Sequence, residues 1–295
     1  MLLAAVLSGG LPGSPAAQSR EAAVTIRPRP AIPLRGSVTW IEVVPSHPSD
    51  GPALRAVEGD AAGEPLHFSR AGGGFAALAG VPLEGVDSLE LVLRLAWEGR
   101  TDTTRVALAL ETPTLRSEQL RVPPRLANPD SAARARIERE LALSREVSRR
   151  SHATPRLWSG GFRLPRSSRI TSVYGTARVY NGEVTSRHLG TDFAGKTGAP
   201  VRAAGRGVVA LVADFYLAGR AVYLDHGAGL VTGYFHLSRI DVAEGDTVAP
   251  GHPVGAVGRT GRVTGPHLHW IARYGTITVD PTSLVRLGSE AGGGE

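Results

Sequence analysis

The sequence predicts an all-β chain built of mainly antiparallel sheets, and three observations carry that reading. Glycine occurs 37 times and proline 21 times in 295 residues, a density that implies many turns between short strands. Apolar and polar residues alternate over runs such as "SVTWIEVVP" and "SLELVLRLAW", the period of a strand with one buried face. Helical spacing is confined to one stretch of roughly 20 residues, from 129 to 150. The expected order is an N-terminal β-sandwich, a short linker helix and a C-terminal β-sheet domain.

Each element follows in turn. Residues 1–19 read as a signal peptide with a weak or truncated leading region. The apolar run Met1–Leu7 is too short to span a bilayer, and small residues end near Ala16 and Ala17. Export to the periplasm or cell envelope is therefore expected. Residues 20–36 are proline-rich and read as a linker or a lead-in to a strand. Residues 37–122 have the size and strand spacing of an immunoglobulin-like sandwich without cysteines. Their clearest unit is a hairpin that places Leu89, Leu91, Leu93 and Leu95 on one face, with Val106, Leu108 and Leu110 opposite and the turn over 98–102.

Residues 123–155 form the helical linker. Asn128 is the expected N-cap with Pro129 at the first helical position. Ala133, Ile137 and Leu141 form a narrow apolar stripe, and Glu146 and Arg150 are spaced for an ion pair. A glycine-punctuated β region follows over 156–286, and residues 287–295 read as a flexible tail.

The net charge is +6, carried almost wholly by arginine because Lys196 is the only lysine. Such an excess suits an anionic partner. No dense basic run is interleaved with aromatics, so a nucleic-acid partner is not expected. The absence of cysteine removes disulfides, thiolate metal sites and cysteine nucleophiles together.

Chemistry gathers in the last third of the chain, where six of the nine histidines lie between 188 and 269. His188 and Asp192 would stand roughly 13 Å apart on a straight strand, too far to share an ion. A bend at Gly190 would bring them together. In "GPHLHW", His267 and His269 point to one face of a strand. His188, Asp192 and His269 together make three N/O ligands, the count of a catalytic zinc site, with two neutral imidazoles and one carboxylate leaving a residual +1 charge. His267 and His236, in "GYFHLS", are the nearby groups able to move a proton or stabilise an oxyanion. His226 and His252, in turn-like glycine surroundings, read as satisfied, partly buried histidines, and His47, His67 and His152 receive no role.

These motifs carry a resemblance. "RHLGTDFAG", "GYFHLS" and "TGPHLHW", in this order and spacing, resemble the lysostaphin-type (LytM-like) zinc metallopeptidases that cut peptidoglycan cross-links. The flanking "RITSVYG", "GAPVRAAGRGVV" and "VAEGDTVAPGHPVGAVGRTGRVTG" are similar to the same family, so the resemblance covers roughly residues 160–285. It implies a LytM-like antiparallel sheet with a long groove. It also implies one zinc ion per chain held by His188, Asp192 and His269, with His236 and His267 as catalytic histidines that bind no metal. Which of the two is the general base stays open.

The implied activity is hydrolysis of peptide cross-links or stem peptides of bacterial peptidoglycan by metal-activated water. The alternative is a catalytically silent LytM-like protein that binds cell wall and activates a partner hydrolase of the envelope. With all five positions filled, the enzyme is favoured. Members often have an acidic residue where this chain has Ile271, which implies altered detail in the groove and no loss of metal. "TARVYNGEVTS" would form a groove wall, with Tyr180 and Asn181 facing substrate. A chain lacking residues 1–155 is expected to keep most of its hydrolytic activity.

Overall fold

A computed structural model of the chain describes residues 23–46, 52–182 and 184–291; the expected signal segment lies outside them. Eight strands come first: β1 (Val24–Arg29), β2 (Val38–Pro45), β3 (Leu54–Ala61), β4 (Glu64–Pro65), β5 (Ser69–Ala71), β6 (Gly74–Gly80), β7 (Ser88–Trp97) and β8 (Arg100–Ala109). They make two antiparallel sheets, in the orders β1-β2-β6-β5 and β4-β3-β7-β8. Alternation decides which faces are buried. Leu89, Leu91, Leu93 and Leu95 are at most 2% exposed, while Glu90 and Arg94 between them face solvent. The hairpin turn is tighter than expected, because Trp97 pairs directly with Arg100.

The linker expected over 20–36 is corrected in part. Val24–Arg29 is an edge strand paired to β2 along its whole length. Pro28 is tolerated there because an edge strand has one side with no ladder to donate to.

Beyond the two sheets, β9 (Ser117–Leu120) leads into a short helix α1 (Pro124–Ala127) and the long helix α2 (Ser131–Arg150), which ends in a 3-10 turn at Ser151–Ala153. The N-cap of α2 is Asp130, whose carboxylate accepts from the Ala133 N–H at 2.8 Å. Asn128 instead closes α1, its N–H donating to the Pro124 carbonyl at 2.8 Å. The expected stripe also shifts. A four-residue repeat drifts by about 40° per step on a helix of 3.6 residues per turn. The buried line therefore passes to Ser144, Val147 and Ser148, and Leu141 is left 41% exposed. The Glu146–Arg150 pair forms, at 3.6 Å.

The C-terminal part contains β10 (Ile170–Ser172), β11 (Ala177–Tyr180), β12 (Val184–Arg187), β13 (Thr191–Ala194), β14 (Pro200–Arg202), β15 (Gly207–Phe215), β16 (Gly219–Gly227), β17 (Leu230–Ile240), β18 (Thr247–Val248), β19 (Pro253–Val257), β20 (His267–Tyr274) and β21 (Ile277–Val279), closed by helix α3 (Pro281–Ala291). Most belong to one ten-stranded sheet whose main path is β10-β13-β20-β17-β16-β15-β18. The hairpin β11–β12 stands apart and takes β9 as a parallel third strand. The tail expected from residue 287 starts inside α3, with Leu287 buried at 7% exposed; residues 292–295 lie outside the described residues.

The N-terminal sheets and the ten-stranded sheet share one apolar cluster, which includes Ile41 and Leu91 from the former and Leu268 and Trp270 from the latter. Polar contacts fasten the seam. Glu64 accepts from the Thr276 N–H at 2.7 Å and bonds His152 at 3.0 Å, and the Tyr274 hydroxyl donates to the Pro65 carbonyl at 2.6 Å. The end of α2 is tied down as well, with Ser151 and Thr154 hydroxyls both donating to the Asp225 carboxylate. The described residues before 156 are therefore structural neighbours of the C-terminal sheet, and removal of residues 1–155 exposes part of a common core.

His226, expected to be a satisfied and partly buried histidine, is fully buried on β16. Its Nδ1–H donates to the Arg206 carbonyl at 2.7 Å, and Nε2 bonds Thr232 Oγ1 at 2.8 Å. Burial pulls its pKa from 6.5 down to about 4, with the Arg206 carbonyl and Asp225 opposing. The folded pKa lies below the unfolded one, so the native state binds fewer protons. Its contribution is complete above about pH 6.5 and is lost as pH falls toward 4, a change of roughly 3 kcal/mol. Urea midpoints across this range should fall for the wild type and follow a flatter slope for His226→Gln.

Candidate metal centre

Sheet register builds the site. Asp192 on β13 and His269 on β20 are direct cross-strand partners, and His267 pairs with Ala194 two residues along. Strand alternation sends Leu268, Trp270 and Ala272 into the core, all 0% exposed, and leaves His267, His269 and Ile271 on the other face. His188 enters from the turn between β12 and β13, held by its backbone N–H on the Thr176 carbonyl and by its carbonyl on the Gly175 N–H, both at 2.8 Å. The chain bends at Gly190 as expected, and the glycine is required there for a further reason. A Cβ there would lie 2.6 Å from His269 Cε1 and 2.6 Å from the Trp270 carbonyl oxygen. The missing side chain lets the His269 ring approach.

Three atoms then converge. His188 Nε2 lies 3.0 Å from Asp192 Oδ1 and 2.9 Å from His269 Nδ1, and His269 Nδ1 lies 2.7 Å from Asp192 Oδ1. All three residues are at least largely buried, and their ligand atoms lie within 4.8 Å of one another. The other nitrogen of His188 is 2.9 Å from the Val173 carbonyl. A carbonyl only accepts, so Nδ1 carries the proton and the neutral ring turns a bare Nε2 lone pair inward. Burial opposes ionisation of Asp192, but its contacts with His188 and His269 outweigh that and hold the carboxyl well below the usual range. Burial likewise pulls His269 down to about 4 against the pull of Asp192. A single N–H on His269 cannot serve all three contacts, and the His188–Asp192 contact sets lone pair against lone pair. A divalent cation at the centre removes that conflict, and two imidazoles with one carboxylate suit it.

Asp192 has a second support that no motif signals. Arg178 on β11 donates from its terminal nitrogen to Asp192 Oδ2 at 2.5 Å and to Ser172 Oγ at 3.2 Å. That occupies one carboxylate oxygen and leaves Oδ1 for the centre.

His236 and His267 flank the three atoms, with ring centroids 4.9 Å apart. Each is pinned by Nδ1 to a backbone carbonyl, Thr260 for His236 at 2.8 Å and Gly265 for His267 at 2.9 Å. His236 therefore presents Nε2 as an acceptor, and Nε2 is also the nitrogen that His267 turns toward the centre. His267 Nε2 lies 3.7 Å from Asp192 Oδ1. Burial first, then the neighbouring His267 and His269, keep the His236 pKa well below 6.5. Regular alternation would aim His236 away from the face that Phe235 shares with His269. A bulge re-aims it: three steps on β17, Tyr234 to Leu237, match two on β16. His236 accordingly has φ 62°, a left-handed conformation uncommon for any residue but glycine.

The groove has two lobes, depressions of ≈ 220 and ≈ 470 Å³. Arg178, Tyr180 and Arg262 line both, and α2 walls the smaller one with Ile137, Glu140 and Leu141. Tyr180 is only 4% exposed and carries the Arg262 guanidinium 4.2 Å from its ring centre. Asn181, expected to face substrate, is spent on the backbone of Val122, accepting from its N–H at 3.0 Å and donating to its carbonyl at 2.9 Å. Ile271 is explained by α2. It belongs to a second apolar cluster that includes Val147 of that helix with Phe215, Tyr223 and Phe235.

Comparison with known proteins agrees with this geometry. Residues 186–281 match the model of peptidase family M23, so the chain carries an M23 domain. Peptidoglycan DD-endopeptidase ShyA of Vibrio cholerae is 45% identical over 105 residues, covering 35% of this chain and 24% of that protein. The DD-carboxypeptidase/endopeptidase Mpg of Neisseria meningitidis is 39% identical over 127 residues, covering 42% of this chain and 29% of that one. The chain thus spans about a quarter of the length of these curated relatives. A crystal structure from Pseudomonas aeruginosa, assigned by its title to peptidase M23, superposes with a TM-score of 0.63 at 29% identity, covering 86% of this chain and 95% of that one. That likeness reaches beyond the M23 segment into the N-terminal sheets.

Arg178→Gln should leave the fold intact and release Asp192 Oδ2. Metal affinity, measured by competition with a chromophoric chelator, is expected to fall roughly 10–100-fold.

Proposed function

We propose that this protein is a zinc-dependent endopeptidase that hydrolyses peptide bonds of bacterial peptidoglycan. The observation that carries the reading is the set of five side chains around one point. Three of them, His188, Asp192 and His269, aim ligand atoms at a common centre, and two, His236 and His267, hold their Nε2 atoms beside it. Names of relatives that include DD-endopeptidases support a cross-link between stem peptides over a glycine bridge as the bond attacked. The net charge of +6 suits an anionic wall polymer, and the proposed location is the periplasm or cell envelope.

His188, Asp192 and His269 are the proposed ligands of one zinc ion. When bound, zinc polarises a carbonyl and lowers the pKa of water to about 7. The chain's own residues then handle the protons. His236, kept neutral by burial and fixed by Thr260, presents a basic Nε2 suited to accepting a proton from the attacking water. His267, more open at the groove, is placed to hydrogen-bond the developing oxyanion and to pass a proton to the leaving amine. Arg178 orients Asp192 through its Oδ2. The wall formed by α2 and the Tyr180–Arg262 contact limits water around the reacting bond.

His236→Ala and His267→Ala are each expected to bind zinc near wild-type affinity while kcat falls by about 10²–10⁴-fold. Mass spectrometry of muropeptides after incubation with purified sacculi is the check, with cross-linked dimers converted to monomers by the wild type alone. Zinc binding with no conversion by the wild type would favour the silent, partner-activating reading.

A further inference from the structure

Two arginines, Arg178 and Arg262, line both lobes of the groove, and of these two only Arg178 pairs with a carboxylate among the described residues. Arg178 is held by Asp192 at 2.5 Å and lies 3.8 Å from Glu118. Arg262 has no carboxylate within ion-pair distance among the described residues. Its guanidinium meets Tyr180, 4.2 Å from the ring centre. That ring is itself fixed in an apolar cluster with Val122, Leu126 and Ala127. The backbone holds the guanidinium in place from the other side. The Arg262 N–H donates to the Leu217 carbonyl at 2.8 Å. Gly261, at φ 74°, packs so closely on the 217–219 turn that a Cβ would fall 2.4 Å from the same carbonyl oxygen.

The position matters as much as the charge. Arg262 lines both lobes of the groove, the one that holds His236 and His269 and the one that holds Asp192 and His267. A peptide lying along the groove past the proposed metal centre must therefore pass it. A partly buried cation with no carboxylate beside it among the described residues has lost hydration, and a carboxylate on the ligand restores it. The guanidinium, set over Tyr180, offers a planar fork of N–H donors to a bidentate acceptor, which a lysine ammonium would not reproduce.

We infer that Arg262 is a specificity-determining residue that pairs with a free carboxylate of the peptide substrate close to the scissile bond. The inference rests on the endopeptidase reading for its ligand class. An enzyme built this way discriminates a stem peptide with a free carboxylate from the same peptide with that group amidated.

The test uses the full-length, zinc-loaded protein and a synthetic tetrapeptide ending in D-alanine, with the terminal carboxylate free or amidated. Binding is measured by calorimetry. The wild type should bind the acid about tenfold tighter than the amide. Arg262→Gln should bind the two within about twofold, and Arg262→Lys should retain part of the preference. Equal affinity of the wild type for both peptides, or binding of neither, would overturn the inference. So would a full preference kept by Arg262→Gln, since the carboxylate would then be held elsewhere, the metal included. Arg262→Lys keeps the charge and guards against a glutamine variant that folds poorly. Sacculus hydrolysis is run alongside. A wild type that prefers the acid but converts no cross-linked muropeptide would sink the endopeptidase reading and leave the pairing with Arg262 standing.

Discussion

Three inward lone pairs that cannot all be satisfied by hydrogen bonds are the constraint around which the C-terminal half is arranged. Asp192 and His269 face each other because β13 and β20 pair in that register, and a slip of one residue would send both into the core. His188 joins them because its backbone is bonded to residues 175 and 176 and its Nδ1 to Val173. Gly190 gives up its side chain so that the His269 ring fits. Asp192 and His188 each use their outer atom on a fixed partner, leaving the inner atom for the centre. This is the organisation of a metal site in which the outer partners orient the inner ones.

The N-terminal half contributes to that arrangement in three places. β9 extends the β11–β12 hairpin, so the strand carrying Arg178 and Tyr180 is braced from outside the M23 segment. α2 lies over the face that holds Ile271 and forms one wall of the groove. The seam at Glu64, His152 and Thr276 joins the N-terminal sheets to the β20–β21 turn. The likeness to the Pseudomonas aeruginosa structure likewise covers most of the chain. They also change what removing residues 1–155 would mean: a groove with one wall missing, on a sheet whose core is partly exposed.

Much of this was readable in advance where chemistry depends on residue type and alternation. The leucines of β7 and the shared face of His267 and His269 follow from a period of two, and both appear as expected. The proposed ligands were legible because a chain without cysteine has few ways to hold a transition metal, and the three side chains do lie together. What alternation cannot reveal is a break in itself. The bulge that re-aims His236 depends on pairing with β16, which lies between distant residues, so "GYFHLS" alone could not show it. Arg178 and Arg262 were missed because their roles depend on which charges lie nearby in space. Helix boundaries shifted for a local reason, with Asp130 the better-placed cap once Pro124–Ala127 formed a turn of its own.

The central claim is that one ion sits where the three lone pairs meet. Anomalous scattering measured on either side of the zinc absorption edge, from crystals of the full-length protein, tests it most directly. The account predicts a single strong peak bonded at about 2.0–2.2 Å to His188 Nε2, Asp192 Oδ1 and His269 Nδ1. His236 and His267 should stay outside bonding distance, with their Nδ1 atoms still on the Thr260 and Gly265 carbonyls. A peak ligated by His236 or His267, or no peak at this point from protein shown to contain zinc, would contradict it.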